Sequence, residues 1–354
     1  MKENEEVIFE IIKKVAPGTQ IREGLENILK AGTGGLIVLS DSEEVLKIAD
    51  GGFKINDDYT PAKIYELAKM DNAIVLSRDC KKILLANTQL LPDASIPTIE
   101  TGSRHRTAER VAKQTGELVI SISQRRGMIT LYKGDINYVL QNSSTVLNKA
   151  NQALQTLEKY KSVFDAYIHM LNEYEFDDIV MLENVVTALQ RAERILRMVP
   201  EIERNIAELG TEGRLLRLQL QEALGDTEFE RNLIIKDYFI KDKKNKLEDV
   251  IKDLKTLKYE DLMDYKNIAK ILGYNSFENI SEIAVASKGY RILNKIPKMP
   301  SIIIDNIVKK FKNLNGILDA SIQDLDDVDG IGEVRAQNIN QSLRRMKEQY
   351  LYIR

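Results

Sequence analysis

The chain has one cysteine, two histidines and no long apolar run, and each of these shortages excludes a class of protein. Because Cys80 has no second cysteine to pair with, an internal disulfide framework and a CxxC metal site are excluded. His105 and His169 are too few for a histidine-rich zinc site. The acidic N-terminus lacks the apolar core of a signal peptide, and no run approaches the roughly 18 apolar residues of a membrane span. We therefore expect a soluble, cytoplasmic protein without a membrane partner.

The charges are nearly balanced, with 51 Lys and Arg against 54 Asp and Glu and a net charge of −3. No global positive field therefore attracts nucleic acid, and any DNA-binding surface must be local. The chain also lacks a Walker A, a G-x-G-x-x-G and a G-x-S-x-G motif, so nothing supports a P-loop, dinucleotide or serine-hydrolase site. With 354 residues it is long enough for two or three domains.

The first section, residues 1–143, mixes short apolar runs with helical patterns. We predict helices over 21–31 and over 61–69, the second with Thr60 as N-cap and Pro61 in its first turn. Hairpin turns are predicted at Arg78-Asp79 and Arg126-Gly127. Runs typical of strands cover residues 35–40, 73–77, 82–90, 117–123 and 128–134. These patterns predict an α/β domain with a central mixed sheet flanked by helices.

Two further sections follow. In residues 144–288 apolar residues recur at helical spacing and strand-like alternation disappears, which predicts an all-α spine. Residues 289–354 contain 11 Lys or Arg against 8 Asp or Glu, a modest local excess of positive charge. We therefore expect three domains, with boundaries at 143/144 and 288/289.

The segment TGSRHRTAER, residues 101–110, has the pattern of a helix start but carries unusual charges. Arg104, His105 and Arg106 lie where the helix dipole is already positive and where acids are normally favoured. An anion removes this conflict, because free backbone N–H groups and guanidinium groups then bind the same ligand. The alternative, two surface arginines and a packed histidine, remains open from the residues alone.

Asp71 lies between the predicted helix 61–69 and the strand AIVLS at 73–77. An Asp-Asn pair is most often a turn. One carboxylate beside a phosphate-binding helix nevertheless meets the needs of Mg²⁺, which takes few protein ligands besides phosphate and water.

Three stretches together resemble the diadenylate cyclase family: MDNAIVLS (70–77), LLPDASIPTIETGSRHRTAERVAKQTG (90–116) and VISISQRR (119–126). The hallmarks of that family are an Asp-Gly-Ala motif and an Arg-His-Arg motif. The helical middle and the tail extend the resemblance over essentially the whole chain, to the DNA integrity scanning members of the family.

The resemblance implies a nucleotidyltransferase that joins two ATP into cyclic di-AMP and releases two pyrophosphates, using Mg²⁺ or Mn²⁺. Asp71 would bind the metal and help to activate the ribose 3′-hydroxyl. Leu90 would lie near adenine, although the sequence is equally compatible with a plain core position for this residue. For Arg125 and Arg126, a solvated turn is favoured. The implied catalytic residues are Asp71, Arg104, His105 and Arg106. The implied ATP-binding residues are Asp71, Asn72, Ala73, Leu90, Gly102, Ser103, Arg104, His105, Arg106, Thr107 and Ser123.

Closing a symmetric ring needs two ATP molecules face to face, each with one nucleophile and one electrophile. One site per chain therefore predicts at least a twofold dimer, and the resemblance implies an octamer with central cyclase domains.

One residue departs from the family pattern, because Asp-Gly-Ala is Asp71-Asn72-Ala73 here. Asn tolerates the left-handed conformation best after Gly, so the turn is expected to persist. Its side chain would still crowd the nucleotide. A DNA-binding sensor that binds ATP or cyclic di-AMP with weak or no turnover is therefore an alternative function. A DNA-repair accessory protein whose first domain binds another anion is a third.

The tail segment LDDVDGIGEVRAQNINQSL (325–343) resembles a helix-hairpin-helix motif, with helices predicted over about 321–327 and 333–346. A Gly-Ile-Gly turn exposes backbone N–H groups that can bind a DNA phosphate largely without sequence preference. The resemblance implies branched DNA as the partner, and a plain αα-hairpin is the alternative. The candidate DNA-binding residues are Gly330, Ile331, Gly332, Arg335, Arg344, Arg345 and Lys347.

Overall fold

The computed structural model describes residues 2–240, 246–274 and 279–352. The helices are α1 Lys2–Lys14, α2 Gln20–Ala31, α3 Glu43–Ile48, α4 Pro61–Leu67, α5 Ser103–Thr115, α6 Ser143–Asp177, α7 Leu182–Leu209, α8 Arg214–Leu224, α9 Thr227–Tyr238, α10 Leu247–Thr256, α11 Tyr259–Met263, α12 Tyr265–Ile271, α13 Tyr290–Asn294, α14 Ser301–Phe311, α15 Leu314–Leu318, α16 Ile322–Asp326 and α17 Glu333–Tyr352. The strands are β1 Gly35–Leu39, β2 Ala49–Asp50, β3 Phe53–Asp58, β4 Ala73–Leu76, β5 Lys82–Leu90, β6 Leu118–Ser123, β7 Met128–Lys133 and β8 Ile136–Val139.

The chain forms two compact units. The first comprises Met1–Gln152 and Glu201–Gln219, and the second comprises Ala153–Pro200 and Leu220–Arg354. Within the described parts of both units, no helix combines the length and the apolar character needed to span a membrane.

One mixed sheet in the first unit contains all eight strands of the described residues. The strand order is β2-β5-β4-β1-β6-β7-β8, and β3 also pairs with β5. β1 and β4 run parallel, whereas the other pairs are antiparallel. The predicted central mixed sheet flanked by helices is therefore confirmed. Strands β2, β3 and β8 were missed; β2 has two residues, and most of β3 (FKINDD) is exposed.

Different helices cover the two faces of this sheet, because side chains alternate along each strand. In β1, Leu36 and Val38 belong to a buried cluster that contains residues of α3 and α5. Ile37 and Leu39 belong to a second cluster, which contains residues of α1, α2 and α4. This arrangement places α5, the helix that begins with the Arg-His-Arg segment, against one face of the sheet.

The local signals predicted around the sheet are found in the structure. The Thr60 side chain accepts a hydrogen bond from the N–H of Lys63, so the predicted cap of α4 is present. The β6–β7 hairpin closes where it was predicted, with the N–H of Gly127 donating to the carbonyl of Ser123 at 2.9 Å.

Cys80 lies in the β4–β5 hairpin turn, in the left-handed conformation with φ 58°. Its side chain is half-buried and packs against the core cluster beneath α2 and α4. Burial raises the pKa of the Cys80 thiol to about 11, so the thiol stays protonated at neutral pH.

A charged network is buried inside the second unit at Arg291, whose side chain is fully buried. The Arg291 guanidinium donates hydrogen bonds to the carboxylates of Glu175 and Glu230 and to the side-chain oxygen of Asn172. Removing one partner of such a buried ion pair typically lowers the free energy of unfolding by about 3–5 kcal/mol. The network therefore fixes α13 against α6 and α9.

Two helix–turn–helix segments near the end of the chain share one backbone pattern. The first joins α13 to α14 and the second joins α16 to α17, each through six residues. Lys298 in the first turn and Gly330 in the second occupy equivalent positions, and both have positive φ, 59° and 84°. The second segment contains the predicted Gly-Ile-Gly turn. Its first helix lies close to the predicted bounds, whereas α17 begins at the predicted residue 333 and extends six residues beyond the predicted end, to Tyr352.

Candidate active site

α5 begins without the side-chain cap that helix starts usually have. Its N-cap residue is Gly102, which has no side chain to accept a hydrogen bond, and the first turn contains no acidic residue. The first backbone bond of the helix runs from the N–H of Arg106 to the carbonyl of Gly102. The N–H groups of residues 103–105 therefore have no partner within the helix, and the positive end of the dipole favours an anion.

A cavity of about 1030 Å³ opens at this helix start. Its volume is at the upper end of the range of about 300–1,000 Å³ that is usual for small-molecule sites. The residues that line it are Leu36, Asp71, Asn72, Ala73, Thr88, Gln89, Leu90, Gly102, Ser103, Arg104, His105, Thr107, Ile122, Ser123, Gln124 and Arg125. The cavity therefore brings Asp71, from the turn before β4, together with the start of α5.

Arg104 is held at the cavity wall by the turn that precedes β1. Its Nη1 lies 3.5 Å from the carbonyl oxygen of Thr33, to which it donates. Gly34 has φ 72°, and a Cβ built there would lie 2.4 Å from the same nitrogen. Glycine at position 34 therefore satisfies the backbone conformation and leaves room for the guanidinium.

His105 is fixed in one tautomer by Tyr132 and Glu100. The Tyr132 hydroxyl donates to Glu100 Oε1 at 2.8 Å, because a carboxylate only accepts. His105 Nδ1, at 2.8 Å from the Tyr132 oxygen, must then carry the hydrogen. Burial lowers the pKa of His105 below its ordinary value, although Glu100 acts in the opposite direction, so the ring is neutral at pH 7. The positive charges of the cavity therefore come from Arg104 and Arg125.

Asp71 and Asn72 border the cavity at the turn before β4. Asp71 is exposed, and among the described residues it is the one carboxylate in the cavity lining. Asn72 has φ 68°, so the left-handed turn expected from the sequence is present. The Asn72 Nδ2 donates to the Oδ1 of Asn87 at 3.2 Å.

Of the remaining candidate residues, some line the cavity and others do not. Ser123 ends β6 and lines the cavity, and its Oγ accepts a hydrogen bond from the N–H of Arg126 at 3.2 Å. Leu90 belongs both to the buried core and to the cavity lining, so a core position and a place near adenine are compatible with each other. Arg125, for which a solvated turn was favoured, is exposed and also lines the cavity. Arg106 is exposed and lies outside the lining.

Several lining residues carry no sequence signal of their own. The sequence did not single out Leu36, Thr88, Gln89, Ile122 or Gln124. Leu36, Thr88, Gln89 and Ile122 reach the cavity through strand pairing, and Gln124 directly follows the end of β6.

Comparisons with known proteins agree over nearly the whole chain. Residues 22–136 match the family described as "DisA bacterial checkpoint controller nucleotide-binding", and residues 140–281 match "DisA bacterial checkpoint controller linker region". A DNA integrity scanning protein DisA from Acetivibrio thermocellus is 55% identical over 98% of this chain and 96% of its own length. Proteins of the same name from Clostridium botulinum and Carboxydothermus hydrogenoformans are each 53% identical, covering 99% and 98% of this chain and 98% and 99% of their own lengths. The chain belongs to the DNA integrity scanning protein family.

The resemblance to the diadenylate cyclase family is thereby confirmed, and the nucleotide-binding domain of the DNA integrity scanning proteins covers the cavity described above. Asp71, Asn72 and Ala73, which the resemblance suggested as the counterpart of the Asp-Gly-Ala motif, lie within the matched residues 22–136.

The cavity suits a divalent metal ion that arrives with a triphosphate. Across the described ranges 2–240, 246–274 and 279–352, no group of three or more His, Cys, Asp or Glu is placed to hold a metal alone. Mg²⁺ is commonly bound by one or two carboxylates together with substrate phosphates and water. Asp71 lies in the same cavity as the uncapped start of α5, and its carboxylate has the hard oxygen atoms that such an ion binds.

The candidate DNA-binding residues of the tail lie on the second hairpin and on α17. Ile331 is buried in the core of the second unit, so its side chain supports the turn. The Nη1 of Arg335 donates to the carbonyl of Gly330 at 2.6 Å and closes the hairpin. Arg344, Arg345 and Lys347 are exposed on α17.

Proposed function

We propose that this chain is a diadenylate cyclase that condenses two ATP into cyclic di-AMP and two pyrophosphates with Mg²⁺ or Mn²⁺. The observation that carries the proposal is the shared cavity of Asp71, Arg104 and the uncapped N-terminus of α5. An acid for a metal ion and a cationic site for phosphates are the two parts that a nucleotidyl transfer needs in one place.

The proposed roles follow from the position of each group. The N–H groups of residues 103–105 and the Arg104 guanidinium bind the phosphates, and the Thr107 and Ser123 hydroxyls lie in the same lining. The apolar side chain of Leu90 offers a surface for adenine. Neutral His105 adds no charge and anchors the start of α5 to Tyr132. Arg106 lies outside the cavity of its own subunit. It can therefore bind phosphate only if it reaches the nucleotide of a facing subunit.

In the proposed reaction, each ribose 3′-oxygen attacks the α-phosphorus of the facing ATP. The bond from that phosphorus to the bridging oxygen breaks, pyrophosphate leaves, and the hydroxyl proton passes to solvent. Mg²⁺ or Mn²⁺, when bound, would supply positive charge that offsets the phosphates and favours ionisation of the 3′-hydroxyl. Asp71 would hold the ion and orient the 3′-hydroxyl, so catalysis depends on positioning and electrostatic stabilisation.

The proposed assembly brings two such cavities face to face. Each cavity contributes one ATP, and a twofold axis makes the two attacks equivalent. An octamer built from such dimers is part of the proposal.

The test of the proposed function is incubation of the full chain with ATP and Mn²⁺, followed by chromatography of the products. We expect cyclic di-AMP and pyrophosphate in a ratio of one to two. ATP binding without product would instead favour a nucleotide sensor, the alternative raised by Asn72 in the lining. Failure to bind ATP would rule out both functions.

We further propose that residues 289–354 form a helix-hairpin-helix domain that binds DNA, after a cyclase domain at 1–143 and a helical spine at 144–288. The relatives' name, DNA integrity scanning protein, agrees with such a role. The turn before α17 supports it, because Gly332 leaves open space at the start of a long helix. The proposed partner is branched DNA, bound with little sequence preference.

Gly332→Val tests the DNA contact. A Cβ at Gly332 would meet no atom within 4 Å, so the fold should accept valine. Valine would cover the N–H groups at the start of α17 and should weaken binding of a branched DNA about tenfold. Fluorescence anisotropy at fixed salt measures this affinity.

Gln341→Val is the matched control, because it places the same side chain on an exposed position farther along α17. It should bind DNA like the parent chain, and both variants should keep their cyclic di-AMP synthesis without DNA. Equal DNA affinity of all three proteins would contradict the assignment of the hairpin.

A further inference from the structure

A β-bulge lies beside the nucleotide cavity, in the pairing of β4 with β5. Ala73 pairs with Thr88 and Val75 pairs with Leu85, so β5 has one residue more than β4 in this interval. Asn87 lies within it and has φ 54°, a left-handed conformation inside a strand. Bulges are common next to active sites, where they redirect a side chain.

The β2–β3 turn fixes the backbone of this bulge from the side of β5 opposite β4. A Cβ at Gly52 would lie 2.6 Å from the carbonyl oxygen of Ala86 and 2.8 Å from that of Asn87. The Thr88 hydroxyl lies 3.0 Å from the carbonyl oxygen of Gly51, to which it donates. Because the turn packs this closely, the position of Asn87 is constrained.

The constrained bulge directs the Asn87 side chain to Asn72. The Asn72 Nδ2 donates to Asn87 Oδ1 at 3.2 Å. Asn72 is exposed and lines the cavity, whereas Asn87 is half-buried and lies outside the lining. By the resemblance, Asn72 stands where the family motif has glycine, so its side chain adds volume at the edge of the cavity.

We propose that Asn87 is a positioning residue of the nucleotide site, which holds the Asn72 carboxamide against β5 and out of the space that the nucleotide occupies. The inference rests on the proposed ATP-binding function. It explains how a cavity suited to ATP accommodates Asn72, because the added side chain has a fixed partner on the neighbouring strand. The two residues must then act as a pair, so the effect of changing Asn87 depends on the residue at position 72.

A double-mutant cycle of Asn72→Gly and Asn87→Gly tests this dependence. Glycine is chosen at position 87 because it keeps the left-handed backbone while it removes the carboxamide. For each of the four full-length proteins, calorimetry gives the Kd of an ATP analogue with a methylene group between the α- and β-phosphates. Rates of cyclic di-AMP synthesis give KM and kcat, and thermal unfolding monitors the fold.

With Asn72 present, Asn87→Gly should raise the Kd and the KM about fivefold, the effect of one lost hydrogen bond, and leave kcat within twofold. In the Asn72→Gly background, the same change should alter the Kd less than twofold. A fivefold effect in both backgrounds would overturn the inference, because Asn87 would then act through the bulge alone. No effect in either background would also overturn it. If the parent chain does not bind the analogue, the proposed function itself fails.

Discussion

Replacement of Asp71 by asparagine is expected to lower the rate of cyclic di-AMP synthesis about 10³-fold, the upper end for loss of one electrostatic group. The reason is that Asp71 is the one carboxylate in the cavity lining of the described residues. Asparagine keeps the size of the side chain but removes the charge that a divalent ion needs. Chromatography of the product after incubation with ATP and Mn²⁺ measures the rate.

Asp135→Asn is the matched control, because Asp135 is exposed in the same unit and lies outside the cavity lining. Its rate should equal that of the parent chain. Size-exclusion chromatography should give the same assembly for all three proteins, because Asp71 is exposed and supports no core contact. Full activity of the Asp71→Asn protein would refute the metal-binding role.

Arg104→Ala is expected to lower kcat/KM about 10²-fold, because it removes one of the two positive charges of the cavity lining. The guanidinium lies beside the unpartnered N–H groups of α5, so both should act on the same phosphates. Steady-state kinetics with ATP and Mn²⁺ give the value. Arg78→Ala is the control, because Arg78 pairs with Glu117 and lies outside the lining. A loss below about twofold for Arg104→Ala would return this residue to an ordinary surface role.

The same arginine can be displaced without being removed. In Gly34→Ala, the new Cβ would lie 2.4 Å from Arg104 Nη1, and φ at this position is 72°. The guanidinium must then move, so kcat/KM should fall, by less than in Arg104→Ala. Parent-like kinetics would show that the exact place of the guanidinium is unimportant.

The sequence predicted the parts of the fold that have a strong local pattern. β1, β4, β5, β6 and β7 are apolar runs, and the Thr60-Pro61 start of α4 has its own cap signal. β3 could not be found in this way, because FKINDD is stabilised by its pairing with β5 and is mostly exposed. Pairing across the sheet is a property of the fold, which a local pattern does not record.

The residues of the candidate site also divide into those that a local motif identifies and those that only the fold brings together. Asp71, Arg104 and Ser123 were recognisable from motif and resemblance, and all three line the cavity. Tyr132 and Glu100, which fix the tautomer of His105, could not be recognised in this way. They lie 27 and 5 positions from His105 in the sequence, and only the fold brings the three side chains together.

The half-buried thiol of Cys80 makes the chain well suited to site-specific labelling. With a thiol pKa of about 11, roughly one Cys80 in a thousand is a thiolate at pH 8, whereas an exposed cysteine is about a quarter ionised. A cysteine introduced at the exposed position Arg126, in the hairpin beside the cavity, would therefore react with a maleimide dye far faster than the native thiol. A fluorophore at this position can report nucleotide binding in the intact protein, with the native cysteine left in place.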